Sequence, residues 1–266
     1  MSILKRVLVK VSGNRFMQRL MEKNANLAHF LMGIGSGGDP NSSGERLIFE
    51  TLKKHCHEPF CVFDVGANQG QFLQLLLTNI GTEKFSVHCF EPGVETFKRL
   101  TQSAPNDPRI RLINVGLGKE AGTAELHYDA QGSGLASLTK RRLEHHNIDF
   151  SQSEPVTITT IDQYCSENGI ERIQLLKLDI EGHELDALAG AQEMFRRKAI
   201  DVVTFEFGGC NIDTRSYLQD FWYFLQDVNM DLYRITPSGY LSPITSYKEH
   251  HEQFRTTNFI ALASND

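Results

Sequence analysis

The sequence predicts an α/β fold in which a mostly parallel sheet is covered by helices on both faces. Two observations carry this expectation. Continuous apolar runs of strand length recur, and most are followed within a few residues by apolar positions at helical spacing. The first such run ends in a glycine-rich turn, Gly66 to Gly70, that leads directly into a helical pattern. With 40% hydrophobic and 23% charged residues among 266, the composition is globular and one main domain is expected.

The first 44 residues read as an appendage to that domain. Residues 3–11 are apolar with Lys5, Arg6 and Lys10 interleaved, residues 14–32 have a helical pattern, and 33–44 (GIGSGGDPNSSG) read as a linker. The glycines of this linker do not bridge a strand to a helix, so it is not expected to be a nucleotide loop. The basic start lacks the long apolar core and small-residue cleavage site of a signal peptide, and no run is long enough to span a bilayer. A solvated helix face is expected there. Contact with anionic lipid through Lys5, Arg6, Lys10, Arg15 and Arg19 is the other reading.

The main domain is expected from residue 45 to the end, opening with a helix over 45–55. Residues 60–65 form the first strand, followed by a helix with Phe72, Leu75, Leu76 and Ile80 on one face. Further strands are expected at 86–90, 110–115, 173–180 and 200–207, with helices at 94–100, 184–195 and 215–226. Residues 123–128 and 156–161 are strand-like and flank 131–150, a Gly-, Ser-, Arg- and His-rich insertion suited to a substrate-side loop. The last apolar runs, 232–236 and 258–263, are expected to pair as an antiparallel hairpin at one sheet edge.

A formal net charge of −6 provides no footprint for a phosphate backbone, so nucleic acid is not an expected partner. The five cysteines are scattered and never in CxxC spacing, which argues against a disulfide framework or a zinc site and fits a reducing cytoplasm.

Candidate chemistry concentrates at strand ends. In Asp64-Val65-Gly66-Ala67-Asn68-Gln69-Gly70 the two glycines permit a tight turn and close backbone approach to a ligand. Their spacing does not match the GxGxxG of dinucleotide sites, and Asp64 suits a cationic ligand better than a pyrophosphate. S-adenosylmethionine, with a sulfonium and an ammonium group, is such a ligand. Glu91 ends the second strand where a carboxylate can accept from both ribose hydroxyls, and Asn114 ends the third, within reach of an adenine. After the fourth strand, Asp179 and Glu181 can both lean into the crevice if Ile180 faces away, and His183 and Glu184 begin the next helix. For Glu184, capping that helix N-terminus is the expected role.

The segments DVGANQG, FEP at 90–92 and LKLDIEGHELDALAGA at 176–191 resemble the FkbM family of S-adenosylmethionine-dependent O-methyltransferases, with similarity running over roughly residues 45–263. It includes residues 134–138, 159–162 and 205–207. The resemblance implies a Rossmann-like class I methyltransferase fold and methyl transfer to a hydroxyl of a small molecule, sugar or glycan. It also implies cofactor contacts from Gly66, Asn68, Gly70, Glu91 and Asn114, and a reactive crevice lined by Asp179 and Glu181. Nucleobase amino-methyltransferases carry an Asp/Asn-Pro-Pro-aromatic turn after the fourth strand, where this chain has Asp179-Ile180-Glu181-Gly182, so oxygen is the expected acceptor.

An alcohol needs help to lose its proton at neutral pH, and His183 is the first candidate base, with Asp179 and Glu181 as alternatives. Asp179, Glu181 and Glu206 are candidates for a divalent cation. The pairs His145-His146 and His250-His251 lack metal-ligand spacing to a third residue and read as solvated, and the run Lys140-Arg141-Arg142 reads as a charged loop. Two other classes fit the fold: a nicotinamide-dependent oxidoreductase, and a non-catalytic protein that binds S-adenosylmethionine.

Overall fold

The computed structural model describes residues 3–38, 44, 46–81 and 83–264, without the side chains of residues 3, 4, 7 and 8. Two helices, α1 (Ile3–Ser12) and α2 (Arg15–Leu31), precede the domain. Asn14 separates them by capping α2, its side chain accepting from the Met17 amide at 3.0 Å. Residues 39–43 of the expected linker and Glu45 lie outside the described residues.

The domain then runs α3 (Arg46–His55), β1 (Phe60–Val65), α4 (Gln71–Ile80), β2 (Phe85–Phe90), α5 (Val94–Ser103), β3 (Ile110–Ile113), β4 (Gly116–Leu117), β5 (Gly122–Tyr128) and β6 (Gln152–Thr159). It continues with α6 (Ile161–Asn168), β7 (Ile173–Leu178), α7 (Glu184–Ala189), α8 (Gln192–Arg196), β8 (Ile200–Phe207), α9 (Cys210–Thr214), α10 (Leu218–Asp227), β9 (Met230–Ile235), β10 (Leu241–Pro243) and β11 (Thr257–Ala263).

Among the described residues the main sheet has the order β10-β9-β11-β8-β7-β1-β2-β3. The pairs from β8 through β7, β1 and β2 to β3 are parallel, and β11, β9 and β10 join antiparallel. The expected pairing of the last two long strands is present, but not at an edge. β11 inserts between β8 and β9, and the short β10, which no strong local pattern announced, forms the rim. Side-chain alternation divides the core in two. Phe63, Val65, Leu176, Leu178, Val203 and Phe205 face α6, α7, α8 and α10, while Phe60, Val62, Val87, Leu175 and Val202 face α3, α4 and α5.

Three expectations are corrected. Residue Ile161 begins helix α6 and does not end a strand: Thr160 caps it by accepting from the Gln163 amide at 3.0 Å, and Gly169 closes it in the left-handed region. The expected helix over 184–195 breaks at Gly190, where a Cβ would stand 2.1 Å from the Gly118 carbonyl oxygen. The Gly190 carbonyl there accepts from the Asp162 amide, and the Asp162 carboxylate caps α8 through the Glu193 and Met194 amides. The described part of the linker is docked: Ile34 is buried, and the Gly37 amide donates to the Thr256 carbonyl at 3.0 Å. The two strand-like segments that flank the insertion pair as β5 and β6 and, with β4, form a separate small sheet in the order β4-β6-β5.

Candidate active site

The chain proceeds from β1 to β2 and β3 on one side, then returns to β7 and β8 on the other, so the strand order reverses between β1 and β7. A crevice opens at such a reversal beyond the carboxyl ends of the strands. An open cavity lies there. Its wall includes Gly66 and Asn68 after β1, Glu91 after β2, Gly116 and Leu117 after β3, and Asp179, Glu181 and His183 after β7. The small sheet closes one side with Leu126 and Ile158.

Gly66 has φ +79°, and a Cβ there would lie 1.9 Å from the carbonyl oxygen of Asp179. Only glycine lets the β1 loop lie against the β7 turn. The loop spends its amides internally. Those of Gly66 and Ala67 both donate to the Phe90 carbonyl at 3.0 Å, that of Asn68 to Glu91 Oε2 at 3.0 Å, and that of Gly70 to the Ala67 carbonyl at 2.8 Å. A pyrophosphate cradle requires such amides to point outward. No Lys or Arg among the described residues lines this cavity, whereas Glu91, Asp179 and Glu181 do.

Glu91 is 7% exposed, and its other carboxylate oxygen accepts from the Gly93 amide at 2.9 Å. Burial pushes its pKa up to about 7 despite the two amides. Asn68 Oδ1 is buried with no hydrogen-bond partner among the described residues.

Three sequence candidates lie behind this wall and do not line it. Asp64, expected to face a cationic ligand, is fully buried in β1, directly across from Lys177 on β7, whose Nζ is 3.1 Å from Asp64 Oδ1. The same Nζ lies 3.4 Å from Asp179 Oδ2 and 3.4 Å from the Gly66 carbonyl oxygen, so Lys177 ties together the two turns that form the crevice. Gly70 adopts φ +93° as the cap of α4. Asn114, expected at an adenine, donates through Nδ2 to the Glu91 carbonyl at 2.9 Å and the Pro92 carbonyl at 3.0 Å, bracing the turn that carries Glu91.

After β7 the chain does not continue as a strand. Glu181 takes the left-handed conformation at φ +53° and Gly182 follows at φ +101°. This turn, and not strand alternation, brings Asp179, Ile180, Glu181 and His183 all onto the cavity wall. Glu184 holds it in shape by accepting at one oxygen from the amides of Ile180 (3.0 Å) and Gly182 (3.1 Å), which precede α7, so it braces the turn and does not cap the helix as expected. Glu181 pairs with Arg141, which also reaches Asp213 at 3.5 Å, and Ser137 Oγ donates to the Glu181 carbonyl at 2.9 Å. Burial, only partly offset by Arg141, lifts the Glu181 pKa to about 8. His183 is held at both ring nitrogens, Nδ1 lying 2.9 Å from Asp186 Oδ2 and Nε2 3.0 Å from Thr139 Oγ1. The hydrogen bond from His183 keeps the Asp186 carboxyl below its ordinary pKa.

A second cavity shares Gly66, Asn68, Gly134, Asp179 and Glu181 with the first and adds Gly37, Gly38, Arg141, Lys177, Glu206 and Thr256. Burial together with the nearby Asp179 and Glu181 raises the Glu206 pKa. Among the described residues no group of three or more His, Cys, Asp or Glu side chains is arranged to hold a metal ion. The five cysteines are free thiols.

The buried carboxyls set the expected pH response. Glu91, Glu181 and Glu184 have folded pKa values of about 7, 8 and 7, above the ordinary 4.5. A raised folded pKa contributes stability that is complete below the unfolded value and is lost as pH rises through the folded one. His88, lowered to about 4 by burial, works oppositely, but its contribution is complete above about pH 6.5. Between about pH 6.5 and 8.5 the carboxyls dominate, so the melting temperature of the ligand-free protein is expected to fall across that window. A flat or rising profile by scanning calorimetry would refute this.

Sequence reasoning missed Thr139, Arg141, Lys177 and Asp186. Arg141 had been read as part of a charged loop, yet it is 9% exposed. Asp186 carried a usable signal, since its position three residues after His183 puts both on one helix face. His145-His146 and His250-His251 lie in 3-10 turns and line neither cavity described above.

The fold and crevice define a doubly wound α/β protein with a cavity at its strand-order switch, walled in part by acids. Residues 64–231 match the methyltransferase FkbM domain, and the chain belongs to that family. It is 30% identical over 146 residues to the 2-O-methyltransferase NoeI of Sinorhizobium fredii, covering 50% of this chain and 57% of the relative. It is 27% identical over 147 residues to the hexuronic acid methyltransferase AglP of Haloferax volcanii, covering 55% and 56%. The chain thus spans a little over half the length of these curated relatives. Among solved structures, the FkbM methyltransferase of Methylobacillus flagellatus aligns with a TM-score of 0.44 and 16% identity over 89% of this chain and 59% of that one. No helix among the described residues is long and apolar enough to cross a membrane.

Proposed function

We propose that the protein is an S-adenosylmethionine-dependent O-methyltransferase acting on a hydroxyl of a sugar or glycan. The observation that carries this reading is that one turn, Asp179 to His183, walls a cavity that also holds Glu91 and presents a carboxylate-backed imidazole to it. Family membership supports methyl transfer. The 2-O-methyltransferase and hexuronic acid methyltransferase relatives support a carbohydrate hydroxyl as acceptor.

The residues present fit the cofactor. Glu91 has free lone pairs for two hydroxyl donors, Leu117, Leu126 and Ile158 offer an apolar slot for a flat base, and the buried Asn68 Oδ1 awaits a donor such as an ammonium group. The acids of the wall favour a cationic ligand, and the internally spent amides disfavour a dinucleotide. When bound, S-adenosylmethionine supplies a methyl group on a positively charged sulfur.

The protein then has to place the acceptor oxygen and take its proton. Asp186 beside Nδ1 selects the tautomer with the proton on Nδ1, leaving the Nε2 lone pair to accept; in the structure it faces the Thr139 hydroxyl. An acceptor hydroxyl that replaces Thr139 in that contact passes its proton to Nε2, and Asp186 stabilises the imidazolium that forms. Asp179 contributes negative charge, and Glu181 offers a hydrogen-bonding group for sugar hydroxyls.

Two measurements test the reading. S-adenosylmethionine and S-adenosylhomocysteine are expected to raise the melting temperature while NAD and NADH do not; stabilisation by a nicotinamide alone would overturn the cofactor assignment. With a sugar acceptor, His183→Ala is expected to lower kcat by about 10²–10⁴-fold with cofactor affinity retained. Unchanged turnover would remove His183 from the base role, and cofactor binding without turnover on any hydroxylated acceptor would point to a non-catalytic binding protein.

A further inference from the structure

We propose that helix α2, with the cations of α1, seats this chain on an anionic lipid bilayer. The inference is independent of the methyl-transfer reading. Helix α2 has 17 residues and none of them is buried. Its apolar side chains recur at one face, and Phe16 is 74% exposed, Leu27 59% and Leu31 63%. Apolar groups this large, aligned on one uncovered helix face, mark an interaction surface and not ordinary scatter.

Charge identifies the occupant. Residues 1–32 hold six Lys or Arg against one acid, Glu22, in a chain of formal net charge −6. Arg15, Arg19 and Lys23 follow each other at intervals of four and so form one edge of the apolar face. A basic edge beside an exposed apolar face is the arrangement of a helix lying in the plane of an anionic membrane surface. A second copy of the same face would bring like charges together, and solvent alone leaves the apolar face uncovered.

The helix is also fixed to the body of the protein. Arg255 Nη1 donates to Asn26 Oδ1 at 3.1 Å and lies 3.2 Å from His29 Nδ1, and the adjoining Thr256 lines the second cavity with Gly37 and Gly38. A bilayer-seated α2 therefore stands next to the rim of that cavity.

The test is flotation of the full chain with vesicles of phosphatidylcholine alone or mixed with phosphatidylglycerol. The chain is expected to float with the anionic vesicles only, and less at high salt. The triple variants Arg15→Glu/Arg19→Glu/Lys23→Glu and Phe16→Ser/Leu27→Ser/Leu31→Ser are each expected to reduce bound protein at least about tenfold with unchanged melting temperature. Absence of wild-type flotation, or flotation of the charge-reversed variant at wild-type level, overturns the proposal. So does light scattering that finds a dimer which the serine variant converts to monomer, since a second copy would then cover the face.

Discussion

Lys177→Met is expected to destabilise the protein by about 3–5 kcal/mol, the cost of breaking a buried ion pair from one side. Asp64 is fully buried, and the ammonium 3.1 Å away is its charge partner. Burial already pushes the Asp64 pKa up against the pull of Lys177. Removing the cation leaves Asp64 to take up a proton or stay charged without compensation, and frees the two turns that Lys177 bridges. The double variant Asp64→Leu/Lys177→Met is expected to recover most of the loss, because replacing both members of a buried pair by apolar groups removes the desolvation cost as well. Urea denaturation of the single and double variants measures both. Equal losses in the two would mean that Lys177 acts through its other contacts and not through Asp64.

Gly66→Ala is the second substitution of large effect. It forces a side chain into the left-handed region, at roughly 1–2 kcal/mol, and drives a methyl group against the Asp179 carbonyl. Because the obstacle is backbone, relief requires the β1 loop to move away from the β7 turn, so a total loss of about 3 kcal/mol or more is expected. The movement separates Asn68 from Glu91 and opens the cavity wall, so stabilisation by S-adenosylmethionine is expected to disappear even at temperatures where the variant is folded. A variant that retains wild-type stability and ligand response would show that the loop does not need the close approach.

Much of the fold was legible because its signals are local. β1 and β8 have the bounds their apolar runs implied, and buried parallel strands produce such runs because both faces of the sheet are covered. The turns that carry Gly66, Asn68, Glu91, Asp179 and Glu181 were legible for a similar reason, since a ligand crevice must lie beyond strand ends. Helix α6 was missed although Thr160 and Gly169 mark its two ends, because the β-branched run of β6 from Val156 continues through Thr160 into Ile161.

By itself, then, the sequence determined the alternation of strands and helices, the end of the sheet that carries the site, and the acidic, glycine-bearing character of its turns. The tertiary structure decided which side chains reach the cavity. Thr139 meets His183 across 44 positions and Arg141 meets Glu181 across 40, contacts made only when the insertion closes over the β7 turn. It also decided that Asp64 faces Lys177 and not a ligand, that Asn114 braces the Glu91 turn from behind, and that residues after α2 dock beside the second cavity. Periodicity and turn chemistry are written in neighbouring residues, whereas strand register and loop closure depend on packing between distant ones.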